Sequence, residues 1–221
     1  MQTQILNWQL AGSFSDLLRP SRPDADKLAL ICQPGIYLWV ENQSDKRFAN
    51  YVGKASESML QRTLEHYGKF LQLQYSIPAR YNNALRYVVT NSDRYTAAVG
   101  YDAFLSPCDL SGSARQQKLD ALWQYLSCLQ IYIASLPEQA ELTANRTMSA
   151  VLRQVEKQLI SDCVPVENIS STAEVYQHYQ LEHRGALLQN DITILRQNSL
   201  MELMQDHTRP SKARGALSLV S

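Results

Sequence analysis

The 221-residue sequence carries no excess charge of either sign: 21 lysines and arginines offset 21 aspartates and glutamates. That excludes an overall field able to draw in polyanions, so any grip on nucleic acid has to come from a local patch. Long hydrophobic runs are missing too. The longest, Tyr125 to Leu136, is interrupted by Ser127, Cys128, Gln130 and Ser135, well short of the ~20 apolar residues a spanning helix needs. The opening residues, Met-Gln-Thr-Gln-Ile-Leu-Asn-Trp, have neither the basic stretch nor the apolar core of a secretory signal. The expectation is a cytoplasmic protein with no membrane partner. Cysteine is sparse: Cys32, Cys108, Cys128 and Cys163 stand singly, without the paired short spacing of a zinc site or the density of a disulfide scaffold. There is no internal repeat and no low-complexity tract. An apolar fraction of 45% with 19% charged residues fits one embellished globular domain, or at most two small ones.

What is there is ordered along the chain. Residues 1–33 join a helical segment, Phe14 to Leu18, to Arg19-Pro20-Ser21-Arg22-Pro23, which cannot continue a helix, and read as a lead-in arm. Gly35 to Glu41 and Arg47 to Gly53 are β-branched and aromatic runs around the polar connection Asn42 to Lys46, which predicts a hairpin. A loop centred on Ser44 sets Tyr37 opposite Tyr51 on one face. The capping pattern Ser58-x-x-Gln61 starts a helix whose apolar stripe is Leu60, Leu64, Tyr67 and Leu71, with Arg62 and His66 together on the polar side.

Residues 75–121, punctuated by Pro78, Gly100, Pro107 and Gly112, have no clean period and read as an insertion; a helix is expected over Arg115 to Tyr125. Leu129 to Leu136 reads as a third, buried strand. A helix over Thr143 to Ser161 carries the stripe Met148, Leu152, Val155 and Leu159, and Glu156 sits ~80° from Met148, beside the buried side. After Asn168 the chain alternates helix and loop to a basic tail, Arg209 to Arg214. Trp8, Trp39 and Trp123 read as packing residues, and His178, His183 and His207 as surface residues.

Charge is uneven locally. Between Lys46 and Thr90, seven bases (Lys46, Arg47, Lys54, Arg62, Lys69, Arg80, Arg86) face only Glu57 and Glu65, a balance of +5. That is the kind of region phosphate binding needs.

Each motif alone is ordinary; their order is not. Gly35-Ile36-Tyr37, Tyr51-Val52-Gly53, Arg62 and His66 one turn apart, Glu156 within Val155 to Ile160, and Asn168 after Pro165-Val166-Glu167 together resemble the GIY-YIG nucleases over about residues 34–170. One departure is the stretch from Arg62 to Glu156, longer than the compact core of that family requires. The resemblance implies an α/β (α+β) domain with a small, mainly antiparallel three-stranded sheet flanked by helices. The 75–121 insertion and a 171–221 helical extension would enlarge it. It also implies a metal-dependent DNA endonuclease leaving 5′-phosphate and 3′-hydroxyl ends, of the restriction or defence kind; with one site per chain, cutting both strands needs a homodimer or two successive acts. A repair, recombination or single-strand-specific nuclease is the alternative, as is a non-catalytic nucleic-acid-binding module on the same fold.

The residue chemistry agrees with that reading. A lone carboxylate such as Glu156 suits Mg²⁺, with Mn²⁺ able to substitute, since Mg²⁺ keeps most of its waters and takes one or two carboxylates. Arg62 offers a planar fork for the scissile phosphate and Lys54 a second cation. The base is open: Tyr51 first, with Tyr37 orienting it, or His66, which titrates nearer neutral pH. Asn168 is expected to orient Glu156 or the loop around it.

Overall fold

Ile36, Leu38 and Val40 alternate with Tyr37 and Trp39 along β2 (Gly35–Gln43), and all five are buried. A strand apolar on both faces belongs inside a sheet with both sides covered. The computed structural model describes residues 2–14, 16, 25–43, 46–72, 112–136, 148–166, 168 and 179–208. Among them β2 lies between β3 (Lys46–Ala55) and β4 (Leu129–Ala134), both antiparallel to it. These are the three strands expected from the sequence, but the sheet has five, in the order β3-β2-β4-β1-β5. β1 (Gln2–Ser13) pairs antiparallel with β4 and parallel with β5 (Tyr179–Gly185), so the sheet is mixed. The residues expected to form a lead-in arm therefore supply an inner strand, and the expected helical extension opens with an edge strand.

Five helices accompany the sheet among the described residues: α1 (Ala25–Ile31), α2 (Met59–Leu71), α3 (Gly112–Cys128), α4 (Met148–Cys163) and α5 (Gln189–Thr208). On one face Ile36, Leu38, Val40 and Val52 pack against Leu152, Val155 and Leu159 of α4 and against Ile192 and Leu195 of α5. On the other, Tyr37, Trp39 and Ile133 pack against Met59 and Phe70 of α2 and against Leu122 and Tyr125 of α3. The chain is thus a helix-sheet-helix sandwich. No helix of the described residues is long and apolar enough to cross a membrane.

α2 is rotated from its expected orientation. It buries Met59, Thr63, His66 and Phe70, while Leu64 and Leu71 are exposed. Met59 is seated against Gly35, and Phe70 packs edge-on against Phe14 and Tyr125, so these two ends set the rotation of the helix. Arg62 and His66 consequently do not share a solvated face. Trp123 is also exposed rather than packed inside. His183 is buried, where its Nδ1 accepts from the Trp8 indole N–H at 3.0 Å. Cys32, Cys128 and Cys163 are unpaired. Residues 75–111, the Pro-rich stretch, Cys108, the start expected at Thr143, Glu167, His178 and the basic tail lie outside the described residues, as does the side chain of His207.

β3 is an edge strand, and its outward backbone groups are met one after another by side chains and loop amides. Asn198 Nδ2 donates to Arg47 O at 2.7 Å. Ala49 N–H donates to Ser199 Oγ at 3.0 Å, and Ala49 O accepts from Val166 N–H at 3.1 Å. The Asn168 side chain then clamps Val52, accepting from its N–H at 2.6 Å and donating to its carbonyl at 2.8 Å. An edge satisfied in this way has no ladder left to offer another chain.

Candidate active site

The two motif glycines are demanded by space. A Cβ on Gly35 would lie 2.6 Å from Ala134 O and 2.7 Å from Met59 Sδ, so only glycine lets α2 start this close to the sheet. A Cβ on Gly53 would overlap the Tyr37 ring, reaching Cε2 at 2.6 Å. Tyr37 is 1% exposed and hemmed in by Trp39, Tyr51 and His66, so it has nowhere to yield. Gly53→Ala is therefore expected to cost about 1–3 kcal/mol of stability and to displace the Tyr37 hydroxyl from His66. Urea titration and phenol NMR together check it.

β2 and β3 register as Tyr37 opposite Gly53 and Trp39 opposite Tyr51, not Tyr37 opposite Tyr51. The phenols are still neighbours, diagonal on one face with ring centroids 6.1 Å apart. An irregularity between Trp39 and Val40 makes this so: Val40 pairs with Ala49, leaving Asn50 as an extra residue. Ahead of α2, Ser58 caps the helix by accepting from Gln61 N–H at 3.3 Å, as the capping pattern predicts.

These elements open onto a cleft of about 310 Å³ lined by Tyr37, Tyr51, Lys54, Ser56, Arg62 and Glu156 together with Glu57, Ser58, Gln61 and Glu65. Arg62 Nη1 donates to Glu65 Oε2 at 2.7 Å, and its guanidinium lies close enough to the Tyr37 hydroxyl to act on it electrostatically. Glu65, an i,i+3 partner, was missed by sequence reasoning although helical spacing alone could have named it. Glu156 reaches the cleft from α4. Burial raises its carboxyl above the ordinary value, against the lowering effects of the Lys54 ammonium, the Lys54 backbone N–H that donates to it, Arg153 and Arg62. Lys54 thus meets Glu156 at the next outward position of β3 after Asn168's clamp on Val52. The hydrogen bonds of the Asn168 side chain go to Val52 and not to Glu156; they hold the strand that carries Tyr51 and Lys54.

His66 lies beneath the cleft, 3% exposed, sharing a 2.9 Å hydrogen bond between Nε2 and the Tyr37 hydroxyl. Burial, then Arg62 and Lys69, push its pKa down to about 4. Burial, then Tyr51 and Glu156, push the Tyr37 phenol up, although Arg62 opposes the shift. At neutral pH this pair is an un-ionised phenol and a neutral imidazole, which the lowered pKa makes a weaker base than a free histidine. Tyr51 is half-buried on the cleft wall.

Of the seven bases, Lys54 and Arg62 line the cleft, Arg47 bonds Tyr132 OH elsewhere at 2.8 Å, and Arg80 and Arg86 are outside the described residues. Among the described residues the lining holds three carboxylates and two cations. No three His, Cys, Asp or Glu side chains among the described residues come close enough to hold an ion by themselves. No protein-family model, curated protein or solved structure matches this chain.

Proposed function

We propose that the chain is a metal-dependent endonuclease that hydrolyses DNA phosphodiester bonds in this cleft, the chemistry its GIY-YIG resemblance implies. One observation carries the reading: Tyr37, Tyr51, Lys54, Arg62 and Glu156, drawn from two strands and two helices, converge on a single open cleft. An accidental set of motifs has no reason to converge. The donor set suits Mg²⁺ or Mn²⁺, because one half-buried carboxylate with room beside it leaves the other positions to water and phosphate oxygens. Held by Glu156, such an ion supplies charge stabilisation at the leaving oxygen.

The chain's own residues do the rest. Arg62, pre-oriented by Glu65, presents the rest of its fork to the phosphoryl oxygens, and Lys54 adds a second positive charge. Tyr51 accepts the proton of the attacking water as its phenolate, the form that Lys54, Arg62 and a bound cation would favour, and Tyr37 lies beside it in the same cleft. The negative lining opposes an incoming phosphate, so DNA enters productively only with a cation already present. Double-strand cleavage with one such cleft per chain calls for a second copy or two successive nicks. A restriction-type or defence enzyme is the biological setting we favour, and a repair-type nuclease the alternative.

The test is nicking of supercoiled plasmid with Mg²⁺ or Mn²⁺ against an EDTA control, with single-stranded and branched DNA in parallel. Fixed fragments from plain duplex support restriction, and preference for branched or single strands supports repair. Arg62→Lys keeps the charge and loses the fork, and is expected to lower nicking by about 10²-fold. Equal rates for the two proteins would remove Arg62 from the site.

A further inference from the structure

We infer that Asn50 is a positioning residue: as the extra residue of a β-bulge, fixed by a buried Glu41–Asn50–Tyr125 network, it sets the phase that brings Tyr51 into the cleft. Side chains alternate along a strand, so a shift of one residue exchanges its two faces. From Lys46 to Ala49, β3 keeps one register with β2, Gln43 opposite Lys46 and Val40 opposite Ala49. Continued without interruption, that register would set Tyr51 opposite Leu38, in the core against α4, and Val52 opposite Tyr37 at the cleft. The observed pairs are instead Leu38 with Val52 and Trp39 with Tyr51. The hairpin end and the motif end of β3 are thus out of phase by one residue, and Asn50 absorbs the difference. Bulges re-aim side chains in this way.

Asn50 is built into that position. It is 0% exposed, and its side-chain amide donates to Tyr125 OH at 2.6 Å and to Glu41 Oε2 at 3.3 Å. Glu41, itself 0% exposed, also accepts from Gln43 Nε2 at 3.0 Å through its other oxygen. A carboxylate and an amide buried in a β-hairpin have no packing advantage over apolar residues. Their use here is to tie the bulge both to β2 and to α3. The phase change also keeps the outer edge in order, since the backbone groups met from outside belong to Arg47 and Ala49 before the bulge and to Val52 and Lys54 after it.

The assignment of the phase stands on geometry; its effect on cleavage rests on the nuclease reading, and the two are measured separately. Protein labelled with ¹³Cζ-tyrosine reports phase directly. The Tyr51 signal, identified by its loss in Tyr51→Phe, feels the Trp39 ring at 4.7 Å between centroids. Asn50→Val is expected to move that signal away from its Trp39-shifted position, because valine favours the regular ladder and cannot make either hydrogen bond. Deleting Asn50 is expected to leave the signal in place, since Val40–Ala49 and Trp39–Tyr51 then become consecutive pairs of one register. An unmoved signal in Asn50→Val, or a lost one in the deletion, would overturn the assignment. If Asn50→Val does not fold, the deletion and the milder Tyr125→Phe decide it, the latter by a partial shift. In plasmid nicking, Asn50→Val is expected to fall about 10²-fold and the deletion to stay within about threefold. On a Tyr51→Phe background Asn50→Val should add no further loss. Absence of nicking by the unaltered protein would count against the nuclease reading alone.

Discussion

Glu156→Gln is expected to abolish Mg²⁺-dependent nicking, by about 10³-fold or more, while binding duplex DNA in EDTA more tightly than the unaltered protein. Glutamine keeps the size of the side chain and still accepts from the Lys54 backbone N–H, so β3 stays where it is. What disappears is the charge. Losing the one carboxylate set between Lys54 and Arg62 removes several kcal/mol of transition-state stabilisation from a metal-assisted displacement. The same change leaves two carboxylates against two cations in the cleft, which lowers the repulsion a phosphate meets without metal. Loss of cleavage with a gain in metal-free affinity is a pair of signs that misfolding cannot produce. Fluorescence anisotropy in EDTA beside the nicking assay measures both. Nicking retained within tenfold would move the metal site away from Glu156.

Acid should unfold the protein through its two buried histidines. His66 and His183 each have a folded pKa of about 4, set chiefly by burial, against about 6.5 in an unfolded chain. As the pH falls below 6.5 the unfolded state takes up protons that the folded state refuses until pH 4, so stability drains away across that window. The full loss approaches about 3 kcal/mol for each histidine. Glu156 and Asp162 work the other way, because burial raises their pKa values and protonation relieves them in the folded state. Substitution isolates the histidine contribution. His183→Asn keeps an acceptor for the Trp8 indole, and His66→Gln keeps a polar partner for Tyr37. Each should flatten the slope of unfolding free energy against pH, between 6.5 and 4, by up to ~1.4 kcal/mol per pH unit. Urea titrations at four pH values decide it, and an unchanged slope would mean that the two imidazoles titrate normally.

Much of this arrangement was legible because it depends on local rules. The β2–β3 hairpin, the Ser58 cap, the apolar stripe of α4 and the position of Glu156 beside it all follow from local pattern and appear where expected. What could not be read depends on distant partners. β1 does show alternation, with Gln4, Leu6 and Trp8 buried, but its glutamines and asparagine dilute the signal and the prolines after it suggest an arm. β5 is polar because it is an edge strand, and an edge strand with Glu182 and Arg184 facing water looks like a loop. The helical period, phased on Leu60, Leu64, Tyr67 and Leu71, sets His66 on the polar side of α2; Met59 and Phe70 turn it inside. Nothing in Ala49-Asn50-Tyr51 announces a bulge, since the partners that fix it, Glu41 and Tyr125, lie on β2 and α3. The candidate site was therefore visible as a set of residues but not as a set of states: which phenol is buried, which histidine is neutral, which glutamate holds the arginine.

The stitched outer edge of β3 also sets an order of events during synthesis. Asn168 lies 116 residues beyond Val52, and Ser199 lies 150 beyond Ala49. The hairpin bearing Tyr37 and Tyr51 leaves the ribosome early, yet its edge stays unsatisfied until α5 has emerged, some seconds to tens of seconds later at ordinary elongation rates. Contacts of such long sequence separation form late in folding as well. The cleft is thus assembled only when almost the whole described chain is present, and a nascent fragment holding every motif up to Glu156 would still lack the stitches that hold Tyr51 and Lys54 in place.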